Sequence, residues 1–139
     1  MKDFFNAVQP LNAKVITVTD DTAVVSGIVD TQNYSGLLFA IAAGTLADAD
    51  ATFTVSVAHG DESDLSDAAA VADADLLGTE VLASFQFDDD DETRKIGYIG
   101  YKRYVQCTVT PANNTGSAPI AIIPVLGHPA LAPVANPPA

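Results

Sequence analysis

Short runs of β-branched and aromatic residues, separated by polar turns, constrain the fold of this 139-residue chain more than any other feature. The clearest run is ATFTVSVAH at 51–59, where apolar side chains alternate with hydroxyl side chains. Such period-two alternation places the apolar residues on one face of a strand. Seven or eight runs of this kind, with no long helix, predict an all-β domain: a β-sandwich of jelly-roll or Greek-key type with antiparallel strands. A barrel remains the alternative, since strand order is not determined.

The remaining strands are predicted from the same signals. Residues 34–43 are almost wholly apolar after Gly36, which is typical of a strand buried on both faces. Residues 68–80, AAAVADADLLGTE, leave a short helix and an irregular connection open. The other predicted strands are 14–19, 22–29, 51–59 and 81–87, and a β-hairpin is predicted over Ile96–Val125 with its turn at Ala112–Gly116.

The two ends of the chain are predicted to be extended arms around one domain. Residues 1–11 carry a small apolar cluster that ends at Pro10, and residues 128–139 carry four of the eight prolines. Proline removes a backbone donor and favours extended conformations. The predicted organisation is therefore an N-terminal arm at 1–11, a β-sandwich at 12–127 and a proline-rich C-terminal arm at 128–139.

Charge is distributed unevenly along the chain, whose formal net charge is −12. Seventeen acidic residues and no Lys or Arg lie between Val15 and Thr93, whereas Arg94 to Ala139 holds four basic residues and no acidic one. Because nucleic-acid binding depends on Lys and Arg neutralising phosphates, we expect no nucleic-acid partner. No run approaches the ~18 apolar residues of a membrane helix, and the N-terminus lacks a signal peptide's apolar core, so a soluble protein is expected.

No segment supplies a convincing catalytic or metal-binding pattern. Cys107 is the only cysteine, which excludes an intrachain disulfide, and its place between apolar strand residues predicts a buried, unreactive thiol. His59 and His128 accompany no recognisable nucleophile motif. Asp48 with Asp50, Asp73 with Asp75, and the run 88–92 invite a calcium hypothesis, but none fits a calcium-loop pattern, and solvated loop charge is the default. We expect no enzyme, no cofactor and no dedicated metal site.

Three segments together resemble small structural proteins encoded among the head genes of tailed bacteriophages and prophages. They are LFAIAAGTLADADATFTVSVAHGD, VADADLLGTE and the stretch from Ile96 to Val134. The recurring motifs are Gly-Tyr-x-Gly-x-Lys-Arg-Tyr-Val at 97–105, Asn-Thr-Gly at 114–116 and Gly-His-Pro at 127–129. The resemblance covers roughly residues 37–134.

This resemblance implies a non-enzymatic virion protein, made in the host bacterial cytoplasm and assembled on the capsid surface. Its implied role is a decoration (cement) protein that binds the major capsid protein as a homo-oligomer, a trimer in preference to a dimer. A head–tail connector or tail-completion protein is the first alternative. A carbohydrate- or calcium-binding β-sandwich module is the second.

A basic and aromatic edge is the predicted interface with the capsid or with other subunits. Tyr98, Tyr101 and Tyr104 recur every three residues beside basic side chains, and large amphipathic side chains pack well in interfaces. An alternative stays open, in which the basic side chains only offset the acidic run 88–92 within the monomer. The predicted interface residues are Arg94, Lys95, Tyr98, Tyr101, Lys102, Arg103, Tyr104 and His128.

Overall fold

Two antiparallel sheets packed face to face form the fold in the computed structural model, which describes residues 3–138. The predicted all-β sandwich is confirmed. Twelve strands lie within the described residues, more than the seven or eight expected, because some predicted strands are broken into short pieces. The strands are β1 Val8–Pro10, β2 Lys14–Val18, β3 Val24–Val25, β4 Val29–Asp30, β5 Tyr34–Ala43, β6 Thr52–Gly60, β7 Ala69–Ala70, β8 Leu76–Leu77, β9 Phe85–Gln86, β10 Thr93–Tyr98, β11 Tyr104–Ala112 and β12 Ala118–Pro129.

The first sheet, sheet A, is built around the two longest strands. Its order is β1–β12–β5–β10–β8, and β2 pairs with β12 on the same side as β1. The short strands β1 and β2 lie end to end along β12, opposite 125–127 and 118–122 respectively. The predicted arm at 1–11 therefore joins the sheet from Val8 onward, while its first two residues lie outside the described part of the chain.

The second sheet, sheet B, pairs β11 with β6 along the whole of β6. Its order is β3–β11–β6–β7, with β4 also on β11 and β9 also on β6. The predicted strand 22–29 is interrupted at Ser26, whose hydroxyl accepts a hydrogen bond from the backbone N–H of Cys107 at 3.0 Å. The result is two short strands, β3 and β4, where one was predicted.

Alternate side chains of both sheets meet in one core. Phe53 stacks on Phe85 with ring centroids 4.9 Å apart, and Cys107 is fully buried as predicted. Burial raises the pKa of the Cys107 thiol to about 12, so the thiolate is disfavoured at neutral pH. The largest fully buried side chains are Phe39, Phe53, Ile41, Ile96, Ile120, Ile122, Val24, Val29, Val55, Val57, Val105 and Val109.

The predicted hairpin over Ile96–Val125 is wrong, although its strands exist. β11 belongs to sheet B and β12 to sheet A, so the connection between them crosses from one sheet to the other. Asn114 anchors this crossing, since its N–H donates to Asp21 Oδ1 at 2.8 Å and its Nδ2 donates to the carbonyl of Asp20 at 3.0 Å. The polar turn is thus tied to the β2–β3 turn, and the strands on either side of it pair with other partners.

The predicted strand 81–87 is also wrong in its first half. Residues Glu80–Ala83 form a short helix, α1, and only Phe85–Gln86 form a strand, β9. Thr79 caps the helix, because its Oγ1 accepts a hydrogen bond from the N–H of Leu82 at 3.0 Å. Residues 68–80, left open by the sequence, contain β7, a 3₁₀ turn at Asp73–Asp75, and β8.

Candidate interaction surface

The predicted interface residues lie at two separate places on the sandwich. Arg94 and Lys95 lie at the start of β10, while the other six cluster around its far end. About 13 Å of strand separates Arg94 from Tyr98, from the usual rise per residue. The structure therefore does not assemble one continuous basic edge.

Arg94 is held within the monomer by four groups. Its guanidinium donates to Glu92 at 2.6 Å, lies 3.2 Å from a carboxylate oxygen of Asp89, and donates to the carbonyls of Leu82 and Ser84 at 3.2 Å each. These contacts connect β10 with α1 and with the acidic run 88–92. For Arg94, the alternative in which a basic side chain offsets neighbouring acids is the arrangement found.

Lys95 points out from sheet A, in register with Ala40 of β5. It is exposed and forms no ion pair with any residue in 3–138. Lys95 therefore differs from Arg94, Lys102 and Arg103, each of which has an acidic partner.

Tyr98 is buried and organises the loop that follows β10. Only 4% of it is exposed, and its hydroxyl accepts a hydrogen bond from the N–H of Lys102 at 3.0 Å while lying 2.9 Å from His59 Nδ1. A Cβ on Gly100 would come within 2.7 Å of the Tyr98 ring, so only glycine lets the loop pass this closely. Tyr98 thus supports the surface from below and does not face a partner.

Two ion pairs fix the loop 99–103 from its sides. Lys102 pairs with Asp61 at the end of β6, and Arg103 donates to both carboxylate oxygens of Asp30 at 2.8 Å. The hydrogen bond to Asp61 raises the pKa of Lys102, and that from Arg103 lowers the pKa of Asp30. Arg103 also donates to Gln32 at 2.6 Å.

Tyr101 projects from this fixed loop with 84% of its surface exposed, and Ile99 is 53% exposed beside it. Lys102 Nζ lies 5.7 Å from the Tyr101 ring centre, and the Arg103 guanidinium lies 5.1 Å from that of Tyr104. We call residues 99–104 the tyrosine loop. It presents tyrosine and arginine side chains, two of the types that dominate binding energy at protein interfaces, next to the aliphatic Ile99.

His128 lies at the same end of the sandwich as the tyrosine loop. Its Cδ2 would lie 3.0 Å from a Cβ on Gly36, and Gly36 lines a shallow cleft together with Ile99 and Gly100. The backbone of His128 has a positive φ of 51°, and its carbonyl accepts a hydrogen bond from Ser35 Oγ at 3.1 Å. The surface therefore consists of the tyrosine loop, the cleft and His128.

Among the acidic pairs, Asp48 connects its own loop to the 113–117 turn. Asp48 accepts hydrogen bonds from the N–H of Asp50 and from the N–H and hydroxyl of Thr115, all at 2.8 to 2.9 Å. These bonds hold the pKa of Asp48 well below its usual range. Within residues 3–138 no group of three or more His, Cys, Asp or Glu side chains is placed to hold a metal ion.

Comparisons with known proteins assign the chain to no family. No protein-family model and no curated protein matches the chain. One similar solved structure comprises the CBM22-1 and GH10 modules of the Clostridium thermocellum endo-1,4-β-D-xylanase 10B, complexed with xylohexaose. The TM-score is 0.47 with 11% identity, over 95% of this chain and 28% of that chain. No helix within residues 3–138 is long and apolar enough to cross a membrane.

Proposed function

We propose that the chain is a bacteriophage virion structural protein, a decoration protein that binds and stabilises the shell of the major capsid protein. The observation that carries the proposal is Tyr101, an exposed aromatic side chain on a loop that Tyr98, Asp61 and Asp30 already hold in place. A pre-ordered loop loses little entropy when it binds, so its contacts convert efficiently into affinity. The resemblance of the motif at 97–105 to phage head proteins supports the choice of partner.

The motif residues have separate tasks in this proposal. Tyr98 and Gly100 build the loop, Lys102 and Arg103 fix it through acidic residues of the same chain, and Tyr101 contacts the shell. Attachment thus depends mainly on aromatic and aliphatic contact. Weak contacts from many copies on one shell would add up through avidity.

The first test measures how many copies of the protein each purified particle carries, by quantitative mass spectrometry of particles from the genome that encodes the chain. A decoration protein is present in numbers comparable to the capsomers, and particles that lack it break at lower temperature. A single ring of few copies, with tailless heads in the deletion, would instead identify a connector. Particles without the protein would overturn the virion proposal.

The second test replaces the contact residue while keeping the loop. Tyr101→Ala is expected to reduce occupancy of stripped capsids at least about 10-fold, because truncating a central aromatic anchor usually costs 2 kcal/mol or more. Val81→Ala is the matched control, since Val81 is 82% exposed on α1, away from the loop. Equal occupancy for the two variants would exclude the tyrosine loop as the contact.

A further inference from the structure

The middle of the outer face of sheet A is apolar, although its side chains remain partly exposed. The inward side chains of β5 and β12 form the core, and the alternate ones point away from sheet B. Across the two strands these outward residues pair in register as Leu38 with Val125, Ala40 with Ile123 and Ala42 with Ala121. All six are aliphatic and only half-buried.

The outer face of sheet B is a built-in comparison, because it has the same architecture and a different composition. Its outward positions on β6 and β11 are mainly Thr, Ser and Gln, for example Thr54 opposite Thr110 and Ser56 opposite Thr108. A sheet face that stays in water normally carries polar residues in alternation. Sheet B follows this rule and sheet A does not, so the sequence of β5 is that of a strand covered on both sides.

We propose that this face of sheet A packs against the same face of a second copy of the chain, forming a two-fold symmetric dimer. The strands of sheet A contain 38 residues in all, which corresponds to a face of about 600 Å² from strand spacing and rise. Specific, stable interfaces bury about 600–1,000 Å² on each partner. The available area is therefore close to what a stable dimer needs.

The charge distribution favours a second copy over a different protein. The described strands of sheet A carry no acidic residue, although the whole chain carries 18. Two molecules of net charge −12 can therefore stack through this face without setting carboxylates against each other. An uncharged, apolar interface is typical of permanent homodimers, whereas faces that recruit other proteins usually carry complementary charge.

Lys95, the one cation on this face, is compatible with the stacking. At its level β10 is the edge of the sheet, because β8 pairs only with Gly97 and Tyr98. A lysine at a sheet edge can lay its aliphatic stem on apolar surface and keep its ammonium group in water.

Small residues such as Ala40 and Ala42 let the two sheets approach closely. Matching faces related by a two-fold axis close at two copies, so the proposed contact gives a dimer in place of the trimer expected from the family resemblance.

The inference concerns the free chain and does not depend on capsid binding. The experiment is sedimentation equilibrium of the full chain up to about 100 µM, where a complex with Kd of about 1 µM is almost fully formed. The wild-type chain is expected to be a dimer. Ala121→Glu is expected to weaken the dimer about 100-fold or more, because position 121 lies on β12, two strands away from Lys95, and each copy would bury an unpaired carboxylate.

Two further variants make the outcome decisive. Ile123→Thr lies at the middle of the same face, in register with Ala40, and keeps a β-branched side chain, so the change preserves the strand and weakens the dimer by burying a hydroxyl even if Ala121→Glu fails to fold. Thr54→Glu places the same charge on the outer face of sheet B and is expected to leave the dimer unchanged. A monomeric or trimeric wild-type chain would overturn the proposal, as would a dimer that Ile123→Thr does not weaken.

Discussion

Arg94 connects parts of the chain that would otherwise be joined only by loops. Its guanidinium reaches the carbonyls of Leu82 and Ser84 as well as the carboxylates of Asp89 and Glu92. The exposed ion pairs contribute little to stability. The charge-assisted hydrogen bond to the partly buried carbonyl of Ser84 contributes more, because that carbonyl would otherwise lose its partner.

We therefore expect Arg94→Met to lower the free energy of unfolding by about 1–2 kcal/mol. The variant keeps the aliphatic stem and removes only the hydrogen-bonding head. Lys14→Met is the control, since Lys14 is exposed and forms no ion pair within residues 3–138, and a change within about 0.5 kcal/mol is expected. Urea unfolding measures both; an equal effect in the two variants would show that Arg94 has no special role.

At the scale of elements, α1 replaces a missing strand at the edge of sheet B. β9 and β7 pair with the two ends of β6 and leave a gap between them. In that gap the N–H of Val55 donates to Ser84 Oγ at 2.9 Å, and the N–H of Val57 donates to Glu80 Oε1 at 2.8 Å. Both edge donors are satisfied, and the edge is closed to pairing with another chain.

Ser84→Ala is expected to destabilise the fold by about 1–2 kcal/mol, because the N–H of Val55 loses its acceptor in a partly buried place. Ser56→Ala is the matched control on the same strand, where the hydroxyl points to solvent from the outer face. Thermal or urea unfolding compares the two variants. Similar stabilities would mean that water reaches the edge of β6 and replaces the serine.

Local patterns predicted some elements closely and failed where distant partners decide. β5 was predicted at its observed bounds and β6 within one residue, because apolar composition and alternation identify a strand without reference to its neighbours. The hairpin prediction failed because alternation in β11 and β12 says which side is apolar, and not which sheet each strand joins. In residues 80–83, alternation favoured a strand, while the Thr79 cap and the contacts to β6 favour a helix.

The candidate surface was predictable to a similar degree. The tyrosine spacing and the basic cluster drew attention to the right loop. Nothing local indicates that Asp61 and Asp30 hold it, since they lie 41 and 73 residues away from Lys102 and Arg103. Equal spacing also hides the difference between Tyr98, which is buried, and Tyr101, which is exposed.

At the scale of the whole molecule, the acidic residues crowd into the connections around the sandwich. They include Asp20 and Asp21 between β2 and β3, the loop 61–67 and the run 88–92. Three of the four cations after residue 93 are already paired with acids of the same chain. Most of the negative charge is therefore uncompensated, and its self-repulsion opposes the compact state.

Two opposite effects of salt follow, and their balance is measurable. Sodium chloride screens the repulsion among loop carboxylates, which stabilises the fold, and screens the few ion pairs, which destabilises it. Because exposed pairs contribute at most about 1 kcal/mol each and the net charge is large, we expect repulsion to dominate. The melting temperature is expected to rise between about 10 mM and 150 mM salt, over which the Debye length falls from about 30 to 8 Å. The rise in melting temperature should be smaller in the double variant Asp88→Asn/Asp91→Asn, which removes two loop carboxylates. Asn suits position 91 because it tolerates the positive φ of 58° there. A melting temperature that falls with salt would mean that the ion pairs of Arg94, Lys102 and Arg103 outweigh the repulsion of the acidic loops.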